Sequence, residues 1–419
     1  MGVCPDLVLT NVTLPGGRVA DITLQDGRVT HAGSAPGGIP AIDCSGMLVL
    51  PGAIDMHVHM RGGVQSAKED WTSGTKSALA GGVTVVIDQP NTIPPLTDPS
   101  NFFNRVSDAR DHSYCHFGIN SGVTDQTPIQ QMWKAGALAF GETFFAPSSY
   151  GDAITEPALS GALVKIQELG ALATIHAEEV LSGSDPTLVT HNALRSARDE
   201  MLAVQRVLAC NKVNCRLHFC HLSSVQAIDT ARGSIEVTPH HLFLSFDKLK
   251  PTDAYGKVNP PLRSEQERKN LWTRWNRIDV IASDHAPHTC AEKQAPFEQA
   301  PSGIPGVETM IPLLMAEVLK KRISLTDIMM KTSHNPAEIL GIRPAGFTPG
   351  DRADFAIFPT VPISITTDRL HSKCGWTPYE GMDAVFPENV ILAGNIVFES
   401  GEYHRGTCEW MNGAGYVPR

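Results

Sequence analysis

The chain has 419 residues, of which 42% are hydrophobic and 19% charged, a mixture typical of a globular protein with one large and one smaller domain. Its net charge of −10 argues against nucleic acid or an anionic membrane as partner, although a single arginine can still bind an anionic substrate. No apolar run reaches the length of a membrane span, and the first residues do not have the pattern of a signal peptide. Nine cysteines without a C-x-x-C pair favour reduced thiols and a cytoplasmic enzyme.

Both ends of the chain predict short β-strands separated by glycine turns. The apolar segments are 7–9, 19–22, 28–30, 354–358 and 390–392. Asp26 and Gly27 form a hairpin turn signal between two of them. We therefore expect a small β-rich domain that is built from residues 1–48 and 346–419.

The middle of the chain, residues 49–345, alternates between strands and helices. The predicted strands are 54–59, 84–88, 115–120, 137–146, 171–176, 216–221, 235–238 and 278–284. Helical segments such as Trp71–Ala80 and 196–209 lie between them. Eight strands that alternate with helices predict an α/β fold of the (β/α)8 TIM-barrel type, in which the chemistry lies at the carboxyl ends of the strands.

Two histidines, His57 and His59, stand one residue apart at the end of the first predicted barrel strand. In an extended chain, residues i and i+2 face the same side, so both imidazoles point together. A neutral imidazole nitrogen binds metal ions well. An isolated His-x-His more often hydrogen-bonds nearby carbonyls, so its meaning depends on the other strand ends.

Three more potential metal ligands end predicted strands. His176 ends the fifth strand, His221 the sixth and Asp284 the eighth. Imidazole and carboxylate groups are good Zn²⁺ ligands, and five of them could hold two ions if a further carboxylate lay between. Each histidine alone is more often structural, but five such residues at one barrel mouth favour a metal site.

This order of ligands resembles the amidohydrolase superfamily, and the chain is similar to its cyclic amidohydrolases, most closely to class I dihydroorotases. The metal motif marks only the superfamily, whereas Arg61 and the Pro-Asn-Thr and Asn-Pro-Pro-Leu-Arg runs are more specific. The similar segments include His57-Val58-His59-Met60-Arg61, Gln89-Pro90-Asn91-Thr92, Lys257-Val258-Asn259-Pro260-Pro261-Leu262-Arg263 and Asp284-His285-Ala286-Pro287-His288.

The resemblance implies reversible hydrolysis of (S)-dihydroorotate to N-carbamoyl-L-aspartate in pyrimidine biosynthesis. It implies one or two Zn²⁺ ions per subunit, Asp284 as the catalytic proton carrier, and a homo-oligomer that could associate with aspartate carbamoyltransferase. It also implies substrate contacts from Arg61, Asn91, Asn259 and His288. The guanidinium of Arg61, on the same strand face as His59, can bind a carboxylate through two hydrogen bonds. The alternatives are a surface ion pair for Arg61 and a turn-forming role for Asn91.

The fourth strand departs from the pattern of many cyclic amidohydrolases, which resemble one another in a carboxylated lysine there. Residues 135–144 contain no lysine, and Lys134 lies before the strand. Some class I dihydroorotases have an acidic residue in the place that Glu142 matches. We predict that Glu142 is a metal ligand, bridging two ions or close to one. The alternative is a polar strand-end residue without metal contact, which would leave one ion or two weakly bound ones.

Two other functions remain open. An allantoinase or hydantoinase would use the same metal chemistry, but its substrates lack the carboxylate that Arg61 and Asn91 would bind. A non-catalytic dihydroorotase-like partner protein is the second alternative, because the lysine is missing. The pair His240 and His241 is interpreted as structural support and His285 as packing. The segment 289–302 is either a lid over the site or an ordinary surface loop.

Overall fold

The computed structural model describes residues 6–35, 37–146 and 153–418. The amino-terminal strands form a four-stranded sheet in the order β3-β2-β1-β4. These strands are β1 (Leu7–Thr13), β2 (Val19–Gln25), β3 (Arg28–Gly33) and β4 (Ala41–Asp43). Asp26 and Gly27 both have positive φ, at 51° and 70°, which matches the twist of the β2–β3 hairpin.

The barrel strands follow a short strand, β5 (Leu48–Pro51). They are β6 (Ala53–Val58), β7 (Val83–Asp88), β8 (His116–Ile119), β9 (Phe140–Phe144), β10 (Leu172–His176), β11 (Arg216–Phe219), β12 (Ser234–Val237) and β13 (Val280–Ile281). Parallel pairing joins β6 to β8 and β9 to β13 in chain order. Bridges between Ser121 and Phe140 and between Val58 and His285 join the two sheets at both edges. The predicted TIM-type barrel is confirmed.

Helices cover the outside of the barrel. They are α1 (Trp71–Ala80), α2 (Pro99–His112), α3 (Ile129–Ala135), α4 (Glu156–Glu168), α5 (Leu188–Leu194), α6 (Ala197–Cys210), α7 (Val225–Thr230), α8 (Pro239–Phe243), α9 (Glu265–Trp272), α10 (Cys290–Lys293), α11 (Met310–Leu319), α12 (Leu325–Met329) and α13 (Asn335–Leu340). The predicted helix 196–209 begins one residue later, because Ser196 is its N-cap and accepts from the backbone N–H of Asp199. Among the helices of the described ranges, none is both long and apolar enough to cross a lipid bilayer.

The barrel strands are apolar on both faces, as parallel strands between helices require. Residues such as Ala53, Val83 and Val86 pack under the helices. Their neighbours Ile54 and Val85 belong to a separate cluster with residues of other strands, which α13 adjoins. This double burial leaves the strand ends as the places where polar side chains collect.

Six further strands follow the barrel. They are β14 (Phe355–Phe358), β15 (Ile363–Ser364), β16 (Asp383–Ala384), β17 (Asn389–Leu392), β18 (Asn395–Glu399) and β19 (Glu402–Tyr403). Of these, β15 and β16 pair with each other in a sheet of two strands. The larger sheet has the order β19-β18-β17-β14-β5, so a strand from before the barrel pairs with strands from after it. Leu9 and Ile22 share a buried core with Phe355 and Ile391. Strands from both chain ends therefore share one buried core.

The last residues return to the barrel. The backbone N–H of Phe117 in β8 donates to the carbonyl of Glu409 at 3.1 Å, and the N–H of Met411 donates to the carbonyl of Phe117 at 2.7 Å. The Met411 side chain packs against the apolar cluster that contains Ile54 and Val85. The tail thus supplies part of the pairing along β8. The cysteines of the described ranges are free thiols, while Cys4 lies outside those ranges.

Candidate metal centre

The structure brings the predicted imidazoles and Asp284 together at the carboxyl ends of the barrel strands. The Nε2 atom of His59 lies 3.0 Å from Oδ1 of Asp284, and Nε2 of His57 lies 3.6 Å from the same oxygen. The ring centroids of His57 and His221 are 5.0 Å apart, and those of His176 and His221 are 4.7 Å apart. Side chains from four strands therefore form one buried cluster.

Glu142, on β9, lies between three of the imidazoles. Its Oε1 atom is 2.9 Å from Nδ1 of His176 and 2.7 Å from Nε2 of His221. Its Oε2 atom is 3.4 Å from Nε2 of His57. The carboxylate thus occupies the position expected of a group that could be shared by two cations.

In the described ranges, three sets of donor atoms are close enough to hold a metal ion. One set is His57, Cys220 and Glu236, of which only His57 is a predicted ligand, and the other two, termed the donor sets, contain predicted ligands only. The first donor set consists of His57, His59 and Asp284, and the second of His57, Glu142 and His221; within each set the donor atoms lie within 4.8 Å of one another. The Nε2 atom of His57 belongs to both donor sets, and it is buried with no hydrogen-bond partner among the described residues. A cation would satisfy this nitrogen, so the residues fit a metal ion.

The electrostatics of the cluster also favour a cation. Burial disfavours charge on every member, yet the carboxylates of Glu142 and Glu236 raise the pKa of His57 well above its usual value. Burial likewise opposes the charge on His176, but hydrogen bonds to Glu142 and Glu178 raise its pKa to about 9. The buried carboxylates therefore demand positive charge nearby, which a divalent ion would supply.

The chain turns sharply where it delivers these side chains. Arg61, His221 and Asp284 have left-handed backbone conformations, with φ of 47°, 35° and 45°. Such a conformation costs on the order of 1–3 kcal/mol for a residue other than glycine and persists only where the surroundings hold it. All three residues lie just after a strand end, which is where the chain must leave the sheet and point side chains into the barrel mouth.

Buried carboxylates hold two of the imidazoles from behind. Nδ1 of His57 lies 3.1 Å from Oε1 of Glu236, and Nε2 of His176 lies 3.0 Å from Oε2 of Glu178. Arg195 forms an ion pair with Glu178. The sequence interpretation missed both acids. The sequence signal for Glu236 was an acid inside the apolar strand 234–237. The signal for Glu178 was an acid two residues after His176, a spacing that places both on one face of an extended chain.

Asn91 holds the third imidazole. Its Oδ1 atom is 2.7 Å from Nδ1 of His59, which leaves Nε2 of His59 to face Asp284. Oxygen partners of this kind fix the tautomer and the orientation of a metal-binding histidine. Asn91 was predicted as a substrate contact, and the structure gives it this additional role.

A cavity of about 430 Å³ opens above the cluster. The predicted ligands that line it are His59, Glu142, His176, His221 and Asp284. The four predicted substrate-binding residues, Arg61, Asn91, Asn259 and His288, line the same cavity. The structure therefore places the predicted metal and substrate residues around a single space.

One wall of the cavity is cationic. The Nη2 atom of Arg61 lies 3.5 Å from Nε2 of His288, and Nζ of Lys68 lies 3.2 Å from Nδ1 of that ring. Burial, with Arg61 and Lys68 nearby, lowers the pKa of His288 to about 2. The ring is therefore neutral; its Nε2–H donates to the carbonyl of Ser302 at 3.1 Å. Lys68 also pairs with Glu292 at 2.8 Å. The sequence interpretation gave Lys68 no role in the site.

The opposite wall carries Asn259. Its Oδ1 atom lies 2.9 Å from Nε2 of His191, whose Nδ1 lies 2.6 Å from Oδ2 of Asp185. The amide oxygen of Asn259 is turned toward this ring, which leaves the NH₂ group as the part that can donate to a substrate. His191 was not identified from the sequence, because nothing local connects it to Asn259.

The segment 289–302 is packed into the protein as a fixed wall. Lys293 is buried, and its Nζ donates to the carbonyls of Lys257, Pro301 and Gly303 at 3.0–3.1 Å. The first bond ties the segment to Lys257, and the other two join its beginning to its end. The sequence left a lid and a surface loop open, and the contacts describe neither a free loop nor an open flap.

Of the three histidines interpreted as structural support or packing, His241 and His285 have hydrogen-bond partners, whereas neither ring nitrogen of His240 has one among the described residues. Nδ1 of His241 lies 2.8 Å from Oγ1 of Thr238, and Nδ1 of His285 accepts the backbone N–H of Gly306 at 3.1 Å. His240 is buried beside His241, with ring centroids 4.4 Å apart. Burial lowers the pKa of His240 to about 4, so this ring is neutral.

Comparison with known proteins places the chain in a family. Residues 48–397 match the model of the amidohydrolase family, and the chain belongs to that family. Its barrel, its donor cluster and its relatives define it as a metal-dependent cyclic amidohydrolase.

Among curated proteins, the chain is similar to the dihydroorotase of Methanosarcina acetivorans, with 41% identity over 95% of this chain and 93% of the relative. It is 37% identical to the dihydroorotase of Halobacterium salinarum over 94% of this chain and 96% of the relative. Similarity to archaeal dihydroorotases thus extends over nearly the whole chain.

Among solved structures, the chain is similar to the L-hydantoinase (dihydropyrimidinase) of Arthrobacter aurescens, with a TM-score of 0.91 and 25% identity, covering 98% of this chain and 100% of that one. The dihydropyrimidinase of Brevibacillus agri has a TM-score of 0.86 at 23% identity, over 98% of this chain and 99% of its own. These likenesses confirm the predicted fold class.

Proposed function

We propose that the chain is a zinc-dependent dihydroorotase, which reversibly hydrolyses (S)-dihydroorotate to N-carbamoyl-L-aspartate in pyrimidine biosynthesis. The observation that carries the proposal is the cationic wall of Arg61 and Lys68 beside a cavity whose floor is a metal-donor cluster. Dihydroorotate combines the two matching groups, a carboxylate and a hydrolysable ring amide. The similarity to dihydroorotases of archaea supports the same substrate.

Two zinc ions would bind in the two donor sets. His57, His59 and Asp284 would hold one, and Glu142 and His221 would hold the other together with His176, whose Nδ1 lies 2.9 Å from Oε1 of Glu142. When bound, the metal would polarise the ring amide carbonyl and lower the pKa of the attacking water. Glu142 would take the bridging place that a carboxylated lysine has in similar enzymes.

Asp284 is suited to carry the proton. Burial opposes its charge, but the hydrogen bond from His59 and the nearby imidazoles lower its pKa, so the carboxylate is ionised before the reaction. It accepts a proton from the attacking water as the carbonyl carbon gains oxygen. It then delivers that proton to the ring nitrogen as the carbon–nitrogen bond breaks.

Arg61 is suited to bind the substrate carboxylate. Its side chain is buried and held at Nε by the carbonyl of Pro287 at 3.3 Å, which orients the guanidinium on the cavity wall. A charged hydrogen bond of this kind contributes about 1.5–3 kcal/mol. The amide of Asn91 can add a donor, neutral His288 lies beside the guanidinium, and Asn259 faces the ring from the other wall.

A hydantoinase or allantoinase is the second candidate, and the likeness to L-hydantoinase favours it. Hydantoin and allantoin lack the carboxylate that Arg61 would bind, so the cationic wall argues for dihydroorotate. The complete donor cluster argues against a non-catalytic partner protein, because buried imidazoles and carboxylates without a ligand are costly.

One experiment separates the three functions. Metal analysis of the purified protein is combined with turnover assays on dihydroorotate, hydantoin and allantoin in the same preparation. We expect one or two zinc ions per chain and turnover of dihydroorotate. Turnover of hydantoin or allantoin without dihydroorotate would move the assignment to the second candidate, and bound zinc without turnover of any substrate would favour the partner protein.

The assembly of the protein stays a prediction, as does its cytoplasmic location. We expect a homo-oligomer that can associate with aspartate carbamoyltransferase. Light scattering after size-exclusion chromatography, with and without that enzyme, measures both properties. A single monomeric peak in both runs would contradict them.

A further inference from the structure

We infer that Glu236 is a positioning residue that sets the affinity of both halves of the metal centre. The inference rests on the proposed metal dependence but not on the identity of the substrate. Glu236 lies on β12, is 1% exposed, and does not line the cavity. Its effect would therefore be exerted entirely through its neighbours.

The contacts of Glu236 reach both donor sets. Its Oε1 atom lies 3.1 Å from Nδ1 of His57 and accepts the backbone N–H of His221 at 3.0 Å. Its Oε2 atom lies 3.0 Å from Nε2 of His218. One carboxylate thus has three hydrogen-bonding partners, which come from two other strands.

The first contact selects the tautomer of His57. An ionised carboxylate only accepts hydrogen bonds, so Nδ1 of His57 must carry the proton. In the neutral ring, Nε2 then presents its lone pair; this buried nitrogen has no hydrogen-bond partner in the described part of the chain and faces Glu142 and Asp284. Glu236 therefore holds His57 in the form that binds a cation.

The second contact holds the backbone of His221. That residue has φ of 35°, a conformation that must be maintained by its surroundings. A hydrogen bond from a backbone N–H to a carboxylate is one of the stronger kinds. With the backbone fixed, Nε2 of His221 faces Glu142 at 2.7 Å.

His218 anchors the carboxylate from behind. This residue lies on β11 and faces Oε2 of Glu236. Its Nδ1 lies 2.9 Å from the hydroxyl of Ser234, which can donate to it, so a neutral ring can donate from Nε2 to Glu236. The chain Ser234–His218–Glu236–His57 is therefore satisfied at each link.

The test is the zinc affinity of the metal-free protein, measured by competition with a chromophoric chelator. Glu236→Gln keeps the shape and one acceptor oxygen, while Glu236→Ala removes both. We expect about a 10- to 100-fold loss of affinity for Ala and a smaller loss for Gln. Melting of the metal-free Gln variant should match that of the unaltered protein, and excess zinc should restore its turnover.

Two further variants make the test decisive. His218→Leu removes the anchor of Glu236 without changing a metal donor, and we expect about a 2- to 10-fold loss of zinc affinity. If Glu236→Ala does not fold, this variant tests the inference in its place. Cys220→Ala is the matched control, because Cys220, His57 and Glu236 could themselves hold an ion. Unchanged affinity in the Glu236 and His218 variants would overturn the inference. So would an equal loss in Cys220→Ala, which would make Glu236 a direct ligand.

Discussion

The floor and the wall of the cavity are built in different ways. The floor consists of His57, His59, Glu142, His176, His221 and Asp284. These residues lie on barrel strands or just after them, and buried side chains such as Glu178 and Glu236 hold them from behind. The wall, taken here as both sides of the cavity, has Arg61, Lys68 and His288 on one side and Asn259 on the other, all on loops that follow the strands. It is held mostly by backbone carbonyls and by contacts within the wall.

This difference separates chemistry from recognition. A floor locked into the barrel suits a reaction shared by a whole family, which is consistent with the fold shared with hydantoinases. A wall on loops can change without disturbing the barrel. Floor variants should therefore affect every substrate, and wall variants only the recognition of dihydroorotate.

The largest effect is expected in the floor. Asp284→Asn removes the proton carrier while keeping the size of the side chain, so kcat should fall by about 100- to 10,000-fold. The measurement is steady-state turnover of dihydroorotate in both directions, with zinc content and melting temperature as controls. Retention of more than a tenth of the activity at full zinc content would remove Asp284 from the proposed role.

A smaller and selective effect is expected in the wall. Arg61→Met should raise KM for dihydroorotate about 10- to 100-fold, because one charged contact is lost. Inhibition by dihydrouracil, the same ring without the carboxylate, should change little. Lys76→Met, on the outer helix α1, is the matched control for loss of one cation. Equal weakening of dihydroorotate and dihydrouracil would show that Arg61 supports the cavity and does not recognise the carboxylate.

A third effect is expected at Asn259. Asp185→Asn weakens the hold on His191, which orients the amide of Asn259, so kcat/KM should fall by about 2- to 10-fold. The zinc content should not change, since Asp185 hydrogen-bonds His191, which hydrogen-bonds Asn259 and not the metal donors of the floor. If the zinc content falls with the activity, the floor and the wall are coupled, which contradicts their proposed independence.

No titration is expected at His288. Burial, with Arg61 and Lys68 nearby, lowers its pKa to about 2, so its proton is released well below the assay range and the ring is neutral from pH 5 to pH 8. Its imidazole resonances in NMR, assigned with His288→Gln, should stay constant over that range. A titration step near pH 6.5 would mean that the wall gains a positive charge on acidification.

The floor was largely predictable from the sequence, and its supports were not. Predicted apolar strands that end in His176, His221 or Asp284 indicate, when taken together, where the metal donors lie. Glu236 is 179 residues from His57, and only the closed barrel brings them together. Lys68 and His288 are separated by 220 residues in the same way. The predicted strand 278–284 shortens to β13 because Asp284 turns into the left-handed region.

The tail that pairs with β8 has a consequence for how the protein is made. Glu409 and Met411 are synthesised long after Phe117, and until they leave the ribosome the edge of β8 at Phe117 lacks these partners. Strand β5 likewise lacks its partner until β14 has been synthesised, since Leu50 pairs with Ala356. Until these segments emerge, nascent chains would thus expose unpaired strand edges. Chaperones protect such surfaces from aggregation.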